Sequence, residues 1–205
     1  MAERLFRNQK ISVQSWEVAL MQEDIPAQIL EFAKHISPSL TPHNRASGWN
    51  ELETETRGTG DLMDLIGSLY IFDKISKQGK VCRMNITCGC GDEFDLEILV
   101  GGEFKKLNIK TSSYAPFKSG LNLIVKKEEV EKDIDAYIQL FVHLGETDVP
   151  HIHVAGWIPT LSKRWQDAKN NLVEIPRTNG HMGVKIPIEH LGSLDKLISM
   201  IDNKF

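Results

Sequence analysis

The chain has 205 residues, 41% of them hydrophobic, which is enough for one full domain with a real core. Its formal net charge is −4 with 25% charged residues, so no global basic field marks a nucleic-acid binder, and contact with DNA would need a local patch. No apolar stretch approaches the roughly 20 residues that span a bilayer, and the start MAERLFRNQK lacks the apolar region of a signal peptide, so we expect a soluble, intracellular (cytoplasmic) protein.

The first third of the chain is predicted to be helical. Residues 11–36 carry apolar side chains at spacings of three and four, which predicts a pair of helices with a break near Pro26. Residues 37–60 contain prolines, several Ser and Thr residues and a closing Gly-Thr-Gly, which is typical of a connector. We therefore predict an N-terminal helical segment with its connector over residues 1–57 and a second domain over residues 58–205. The helical segment is expected to bind DNA, to form a homodimer or to cover a sheet.

The rest of the chain reads as one helix, several strands and two further helices. From Asp61 the apolar spacing predicts a core-facing helix that ends before Gly79. Strand-like runs follow, namely VCRMNIT, FDLEILV, FKKLNIK, LNLIV, AYIQLFVHL and HIHVAGWI, with the charged KKEEVEKD between LNLIV and AYIQLFVHL as a helical turn or loop. The tail predicts a helix over SKRWQDAKN, a strand into Pro187 and a final helix near Ser193. The order indicates the α/β or α+β class, and we predict an α/β fold with a mixed central sheet flanked by helices.

The runs FDLEILV and FKKLNIK flank a Gly-Gly pair, which predicts a hairpin with a two-residue turn. In that register Asp95 lies opposite Asn108 and Glu97 lies opposite Lys106, with Lys110 diagonally beside Asp95. Opposed side chains have Cβ atoms about 5 Å apart, so two oxygen-bearing side chains there could hold one divalent cation. The lysine ammonium could orient a water molecule or stabilise a developing charge. The alternative is an ordinary solvated sheet face with a Glu97–Lys106 ion pair.

The pattern Asp95, twelve residues, then Asn108-Ile-Lys110-Thr-Ser-Ser resembles the D…(D/E)-x-K core of the PD-(D/E)xK restriction-endonuclease-like superfamily. The flanks are similar as well. A helix opened by GTGDLMDLIG precedes the hairpin, HIHVAGWIPTLSKRW resembles the family's late strand and Gly-Trp-Ile helix entry, and VKIPIEHLGSLDKLI resembles its final strand and helix. The resemblance covers residues 58–201 and leaves the N-terminal segment outside.

This resemblance implies hydrolysis of phosphodiester bonds in DNA with Mg²⁺, for which Mn²⁺ could substitute. Carried over by position, the catalytic residues are Asp95 as the metal-bridging aspartate, Asn108 in the second-acid position and Lys110 as the catalytic lysine. The Ile109 carbonyl becomes an additional metal ligand. In such a site, metal-bound carboxylates activate water for in-line attack, and metal and lysine together offset the charge on the transition state.

Asn108 departs from the family pattern, which asks for Asp or Glu at this position. An amide offers one neutral oxygen and no charge to attract Mg²⁺. The missing charge is expected from Glu97, on the same face as Asp95, or from a helix carboxylate, for which Asp61 fits best and Asp64 lies one turn on. Asp61 fits a helix N-cap equally well. Two functions therefore stay open: a metal-dependent DNA endonuclease, or a catalytically inactive DNA-binding or interaction protein that retains the fold.

Three further features lie outside the predicted hairpin site. Gln139 is expected either in the same cleft or on a strand surface. Cysteines cluster within nine residues, and both a zinc site and free thiols of a reducing compartment stay open. A group of histidines, two of them on one strand face, is expected either to bind zinc or to be solvated or hydrogen-bonded. The clusters are Cys82, Cys88 and Cys90, and His143, His151 and His153.

Overall fold

A computed structural model describes eight stretches of the chain. They are residues 10–13, 16–19, 21–45, 54–85, 94–113, 121–144, 150–175 and 180–201. Within them, side chains are described except at residues 10–22, 37–45, 54–61 and 113.

These residues form eleven strands, five α-helices and a short 3-10 helix. The strands are β1 (Lys10–Val13), β2 (Trp16–Ala19), β3 (Met21–Asp24), β4 (Cys82–Met84), β5 (Leu96–Val100), β6 (Glu103–Ser113), β7 (Asn122–Lys126), β8 (Ala136–His143), β9 (His151–Pro159), β10 (Val173–Glu174) and β11 (Met182–Pro187). The helices are α1 (Ala27–Arg45), α2 (Thr54–Lys77), α3 (Lys127–Val130), α4 (Lys163–Asn170) and α5 (Leu194–Met200), and the 3-10 helix is Ile188–His190.

The central sheet has six strands in the order β3-β9-β8-β6-β5-β4. Strands β4, β5 and β6 pair antiparallel in succession, β6 pairs parallel with β8, and β8, β9 and β3 continue antiparallel. A second sheet has the order β10-β11-β7, and β1 and β2 form a separate pair. The predicted α/β class, with a mixed sheet flanked by helices, is confirmed.

Helix α2 covers one face of the central sheet. Its buried side chains Ile66, Ile71 and Ile75 share a core with Leu96 and Ile98 of the hairpin. Helix α2 packs tightly on β6 at Gly67, because a Cβ atom there would clash with the Thr111 side chain. The predicted C-terminus is confirmed: Gly79, at φ 70°, follows the helix and donates its N–H to the Ser76 carbonyl at 2.9 Å.

The other face of the sheet is covered by α3, α4 and the small sheet. Tyr137 of β8 stacks on Trp165 of α4, with ring centroids 4.6 Å apart. Buried Val125 of β7 and Val184 of β11 belong to the same cluster. Adjacent residues of a strand point to opposite faces, so β6 and β8 each contribute to both layers.

The predicted N-terminal helical pair is wrong in its first half. The described residues there, Lys10–Val13, Trp16–Ala19 and Met21–Asp24, form β1, β2 and β3 rather than a helix. Here β-branched residues favour extended backbone, and β3 gains a ladder along β9, so pairing outweighs a weak helical spacing. The second half is helical and extends further than predicted, through Pro38 and Pro42 to Arg45, and it packs against α2.

The predicted connector is helical at both described ends, because α1 continues to Arg45 and α2 begins at Thr54. The boundary predicted after residue 57 falls inside α2. Strand β3, from the N-terminal side of that boundary, joins the central sheet through β9. The division into two domains stays a prediction.

Candidate functional site

The predicted register of the hairpin is confirmed for residues 96–100 and 103–107, whereas the predicted Asp95–Asn108 pair lies beyond the paired residues. Strands β5 and β6 pair from Val100–Glu103 at the turn to Leu96–Leu107 at the open end, with Glu97 opposite Lys106. Gly101 and Gly102 have φ values of 59° and 92°, the left-handed backbone that a tight two-residue turn requires. The apolar side chains face α2, and the other face, which we call the polar face, carries Asp95, Glu97, Lys106, Asn108 and Lys110.

Asp95 lies one residue before β5 and is held against the opposite strand. Its N–H donates to the Leu107 carbonyl at 3.0 Å, and its Oδ2 accepts from the Ile109 N–H at 2.6 Å. Burial of the carboxyl group raises its pKa, against the opposing effects of the Ile109 N–H and the Lys110 charge. Asp95 is thus a fixed carboxyl group, and positive charge beside it favours its ionised form.

Asn108 is the buried amide of the polar face, with 7% of its surface exposed. Its Oδ1 is buried and has no hydrogen-bond partner among the described residues. A buried acceptor without a partner destabilises a fold by about 1–3 kcal/mol, so such an atom is retained where something else satisfies it. A hard cation is one group that would do so, because amide and carboxylate oxygens are its preferred ligands.

Lys110 lies on the same face and forms an ion pair across the site. Its Nζ is 2.9 Å from Oε2 of Glu129, and the two side chains are 22% and 30% exposed. In the parallel ladder, Asn108 pairs with Tyr137 and Lys110 with Gln139. Gln139 is 1% exposed and donates to the Leu140 carbonyl at 2.7 Å, so it lies buried beside Lys110 rather than on a solvated strand surface.

Glu129 belongs to this site and was missed in the sequence. The Tyr137 hydroxyl donates to the Glu129 carbonyl at 2.9 Å, and the adjacent Val130 is buried, so α3 is anchored over the polar face. The charge of Glu129 also raises the pKa of Asp95, although less than burial does. A signal was present: parallel strands need a crossover, and KKEEVEKD, with its single apolar residue, lies within that crossover.

Glu97 lies on the polar face but is engaged elsewhere. Its Oε2 is 2.7 Å from Nε of Arg83 on β4. Lys106, directly across the ladder, donates to Asp133 at 3.0 Å. The hairpin therefore places Glu97 two residues from Asp95, with its carboxylate directed to the outer strand.

The helix carboxylates are arranged differently from the expectation. Thr111 donates its hydroxyl to Asp64, and Thr111 faces α2, so Asp64 lies on the opposite side of β6 from Asn108. Asp61 lies in α2 too, but its side chain is outside the described residues. The N-cap interpretation of Asp61 is wrong, because α2 begins at Thr54 and Asp61 is in its interior.

The cysteine and histidine clusters are only partly described. Cys82 is a free thiol, 3.2 Å from the Ser76 hydroxyl, whereas Cys88 and Cys90 lie outside the described residues. The His143 and His151 rings stack at 4.7 Å, and the His151 and His153 rings meet edge-on at 5.1 Å. Burial and then the two neighbouring histidines lower the pKa of His153 to about 4. Within the described stretches, no three His, Cys, Asp or Glu side chains are grouped as metal ligands.

Comparisons of the chain with protein-family models and with curated proteins found no match. In the part of the chain that the structure describes, no helix is both long enough and apolar enough to cross a membrane. Function is therefore inferred from the fold and from the geometry around Asp95, Asn108 and Lys110.

Proposed function

We propose that the protein is a metal-dependent DNA endonuclease that hydrolyses phosphodiester bonds, with Asp95, Asn108 and Lys110 as its catalytic residues. The observation that carries the proposal is the Asn108 Oδ1 atom, buried without a described partner on the same face as a buried carboxyl group and a lysine. The mixed sheet flanked by helices also supports membership of the PD-(D/E)xK restriction-endonuclease-like superfamily, which we propose as the family.

The donor set fits Mg²⁺ or Mn²⁺. Asp95 offers a carboxylate oxygen and Asn108 an amide oxygen, both hard ligands, and we propose the Ile109 carbonyl as a third. Glu97 and Asp61 complete the proposed ligands. Glu97 would first have to leave Arg83, to which it is paired at 2.7 Å.

When bound, the cation would supply a Lewis acid that polarises the phosphate and lowers the pKa of a water molecule. The Ile109 N–H fixes one Asp95 oxygen and so leaves the other for ligation. A cation held beside Asp95 would favour its ionised form and so oppose the rise in pKa that burial causes. The Lys110 ammonium group offsets negative charge that develops on the phosphate.

Cleavage assays on supercoiled, linear and single-stranded DNA with Mg²⁺, Mn²⁺ or chelator test the proposal. The intact protein should nick DNA only with the metal, and Lys110→Ala should lower the rate at least about 100-fold, because one transition-state partner is removed. Lys163→Ala is the matched control, since Lys163 is an exposed lysine whose side chain is 87% accessible. Metal-dependent nicking that survives Lys110→Ala would contradict the assigned site.

A second candidate is a DNA-binding or interaction protein that keeps the fold without catalysis. Its support is the neutral Asn108 together with the pairing of Lys110 to Glu129, which leaves the site with little net negative charge. Metal-independent DNA binding, with no cleavage under any of the metal conditions, would favour it over the nuclease.

A further inference from the structure

We infer that Glu129 supplies the second carboxylate of the divalent-cation site formed by Asp95 and Asn108, and that it exchanges Lys110 for the cation when the site is loaded. This inference rests on the proposed function and adds a ligand that neither the hairpin nor its resemblance to a family provides.

The charge of the site requires such a group. Asp95 contributes one negative charge, whereas Asn108 and the Ile109 carbonyl contribute none, and the Lys110 ammonium group repels a cation. Divalent cations in proteins are generally held by carboxylates that match their charge. One ionised aspartate beside a lysine therefore leaves the positive charge of the cation largely uncompensated.

Geometry selects among the described carboxylates near the hairpin, of which Asp133 and Asp135 accept from Lys106. Asp64 accepts from Thr111 on the opposite side of β6. Glu97 is directed to Arg83 on the outer strand. Glu129 lies over the polar face, with its Oε2 2.9 Å from Lys110 Nζ and its charge acting on Asp95.

The backbone of α3 holds Glu129 in this position. The Tyr137 hydroxyl donates to its carbonyl, and Tyr137 is itself clamped by stacking on Trp165. The side chain remains 30% exposed, and its ion pair is with Lys110, so rotation of its χ angles can redirect the carboxylate without moving the backbone.

The exchange has a consequence for Lys110. In the metal-free protein its ammonium group is neutralised by Glu129. An ion pair that is partly exposed to water is weak, so a divalent cation held by Asp95 and Asn108 competes effectively for the Glu129 carboxylate. Release of Glu129 would then leave the Lys110 ammonium group available to a phosphate oxygen only when the cation is present.

Mn²⁺ binding to the full chain, measured without DNA by calorimetry and by electron paramagnetic resonance, tests this inference. Glu129→Gln should weaken Mn²⁺ binding at least about tenfold, the scale expected for loss of a group that supports a metal. Glu128→Gln is the matched control, because Glu128 is an exposed residue of the same helix, and it should leave affinity unchanged.

A second comparison separates ligation from charge shielding. If Glu129 only neutralises Lys110, then Glu129→Gln should have little effect on affinity once Lys110→Ala is present. If Glu129 binds the cation, Glu129→Gln should still weaken binding at least about tenfold in the Lys110→Ala background. An absence of this effect overturns the inference.

Glu129→Asp provides an independent variant if Glu129→Gln fails to fold. It keeps the charge but withdraws the carboxylate by one methylene, so ligation predicts several-fold weaker Mn²⁺ binding, whereas unchanged binding would overturn ligation. Mn²⁺ binding that is lost with Asp95→Asn but retained with both Glu129 variants refutes this inference alone. No saturable Mn²⁺ binding to the intact protein refutes both this inference and the proposed function.

Discussion

Asn108 and Asp95 show how a single face of a hairpin can be both buried and polar. Asn108 contributes an amide oxygen without a described donor, and Asp95 contributes a carboxyl group whose pKa is raised by burial. Each arrangement is unfavourable for the folded chain, since desolvated polar groups lose their hydration. Two such groups together are expected at sites where a ligand restores the lost interactions.

Asn108→Asp should raise Mg²⁺ affinity about tenfold, because a charged oxygen replaces a neutral one at the proposed site. Calorimetric titration of the full chain measures the change. Asn170→Asp, at an exposed position of α4, is the control for added surface charge. Unaltered Mg²⁺ affinity in the Asn108 variant would remove this residue from the ligand set.

The raised pKa of Asp95 makes the stability of the metal-free protein depend on pH. Because the folded state binds this proton more tightly than the unfolded state does, its stabilising contribution is present below the ordinary aspartate pKa of about 3.9. The contribution is lost as pH rises through the raised folded-state value. The charges of Lys110 and Lys132 act against this shift and that of Glu129 reinforces it, but burial is the largest cause.

Asp95→Asn should therefore be more stable than the natural chain at neutral pH in the presence of chelator. Asparagine keeps an oxygen that can accept from the Ile109 N–H but has no charge to desolvate. Urea unfolding at a series of acidic to neutral pH values should show a decline with pH in the natural chain that is reduced in the variant. Lower stability of the variant at neutral pH would mean that Asp95 is ionised and well compensated without metal.

At the scale of elements, the site depends on how helices pack on the two faces of the sheet. Helix α2 approaches β6 at Gly67, where a Cβ atom would clash with the Thr111 side chain and lie 3.1 Å from Leu140 Cδ1. Helix α3 lies on the other face and carries Glu129 to the polar side chains. The face of β6 toward α2 therefore packs in the core, and the opposite face carries the side chains of the candidate site.

Gly67→Ala should lower the free energy of unfolding by about 1–3 kcal/mol, the usual effect of overpacking a core. The direction of the change in unfolding free energy is informative, because replacing Gly by Ala within a helix otherwise stabilises the fold by up to about 1 kcal/mol. Urea unfolding measures the difference. Adding Thr111→Ser to the Gly67→Ala variant removes the obstructing methyl group and retains the hydroxyl that donates a hydrogen bond to Asp64. It should therefore restore part of the lost stability.

Elements whose turns or ends are marked by residues close in sequence were predicted correctly. The hairpin register followed from the Gly-Gly turn and the alternation of side chains, and both are confirmed. The end of α2 followed from Gly79, and the start of α5 from Ser193, whose hydroxyl accepts from the Lys196 N–H. Strand β3 was mispredicted because it is stabilised by β9, more than a hundred residues away in the chain, whereas β1 and β2 pair with each other.

At the scale of the whole molecule, the parallel pairing of β6 and β8 organises the site. Parallel neighbours require a crossover, and here it contains β7 and α3 and passes over the polar face. Tyr137 fastens the crossover to the sheet, through its hydrogen bond to Glu129 and its stacking on Trp165. Below this crossover Asn108 is 7% exposed, and burial raises the pKa of Asp95.

The sequence by itself determined the placement of Asp95 near Asn108 and Lys110, because turn chemistry and the two-residue period of a strand act over short distances. Only the tertiary structure decided which other carboxylate would reach them. It directs Glu97 to Arg83, places Asp64 across the sheet and carries Glu129 to Lys110. The physical reason is that a carboxylate's position depends on which face its element packs against, and that choice is made by burial of apolar side chains from the whole chain.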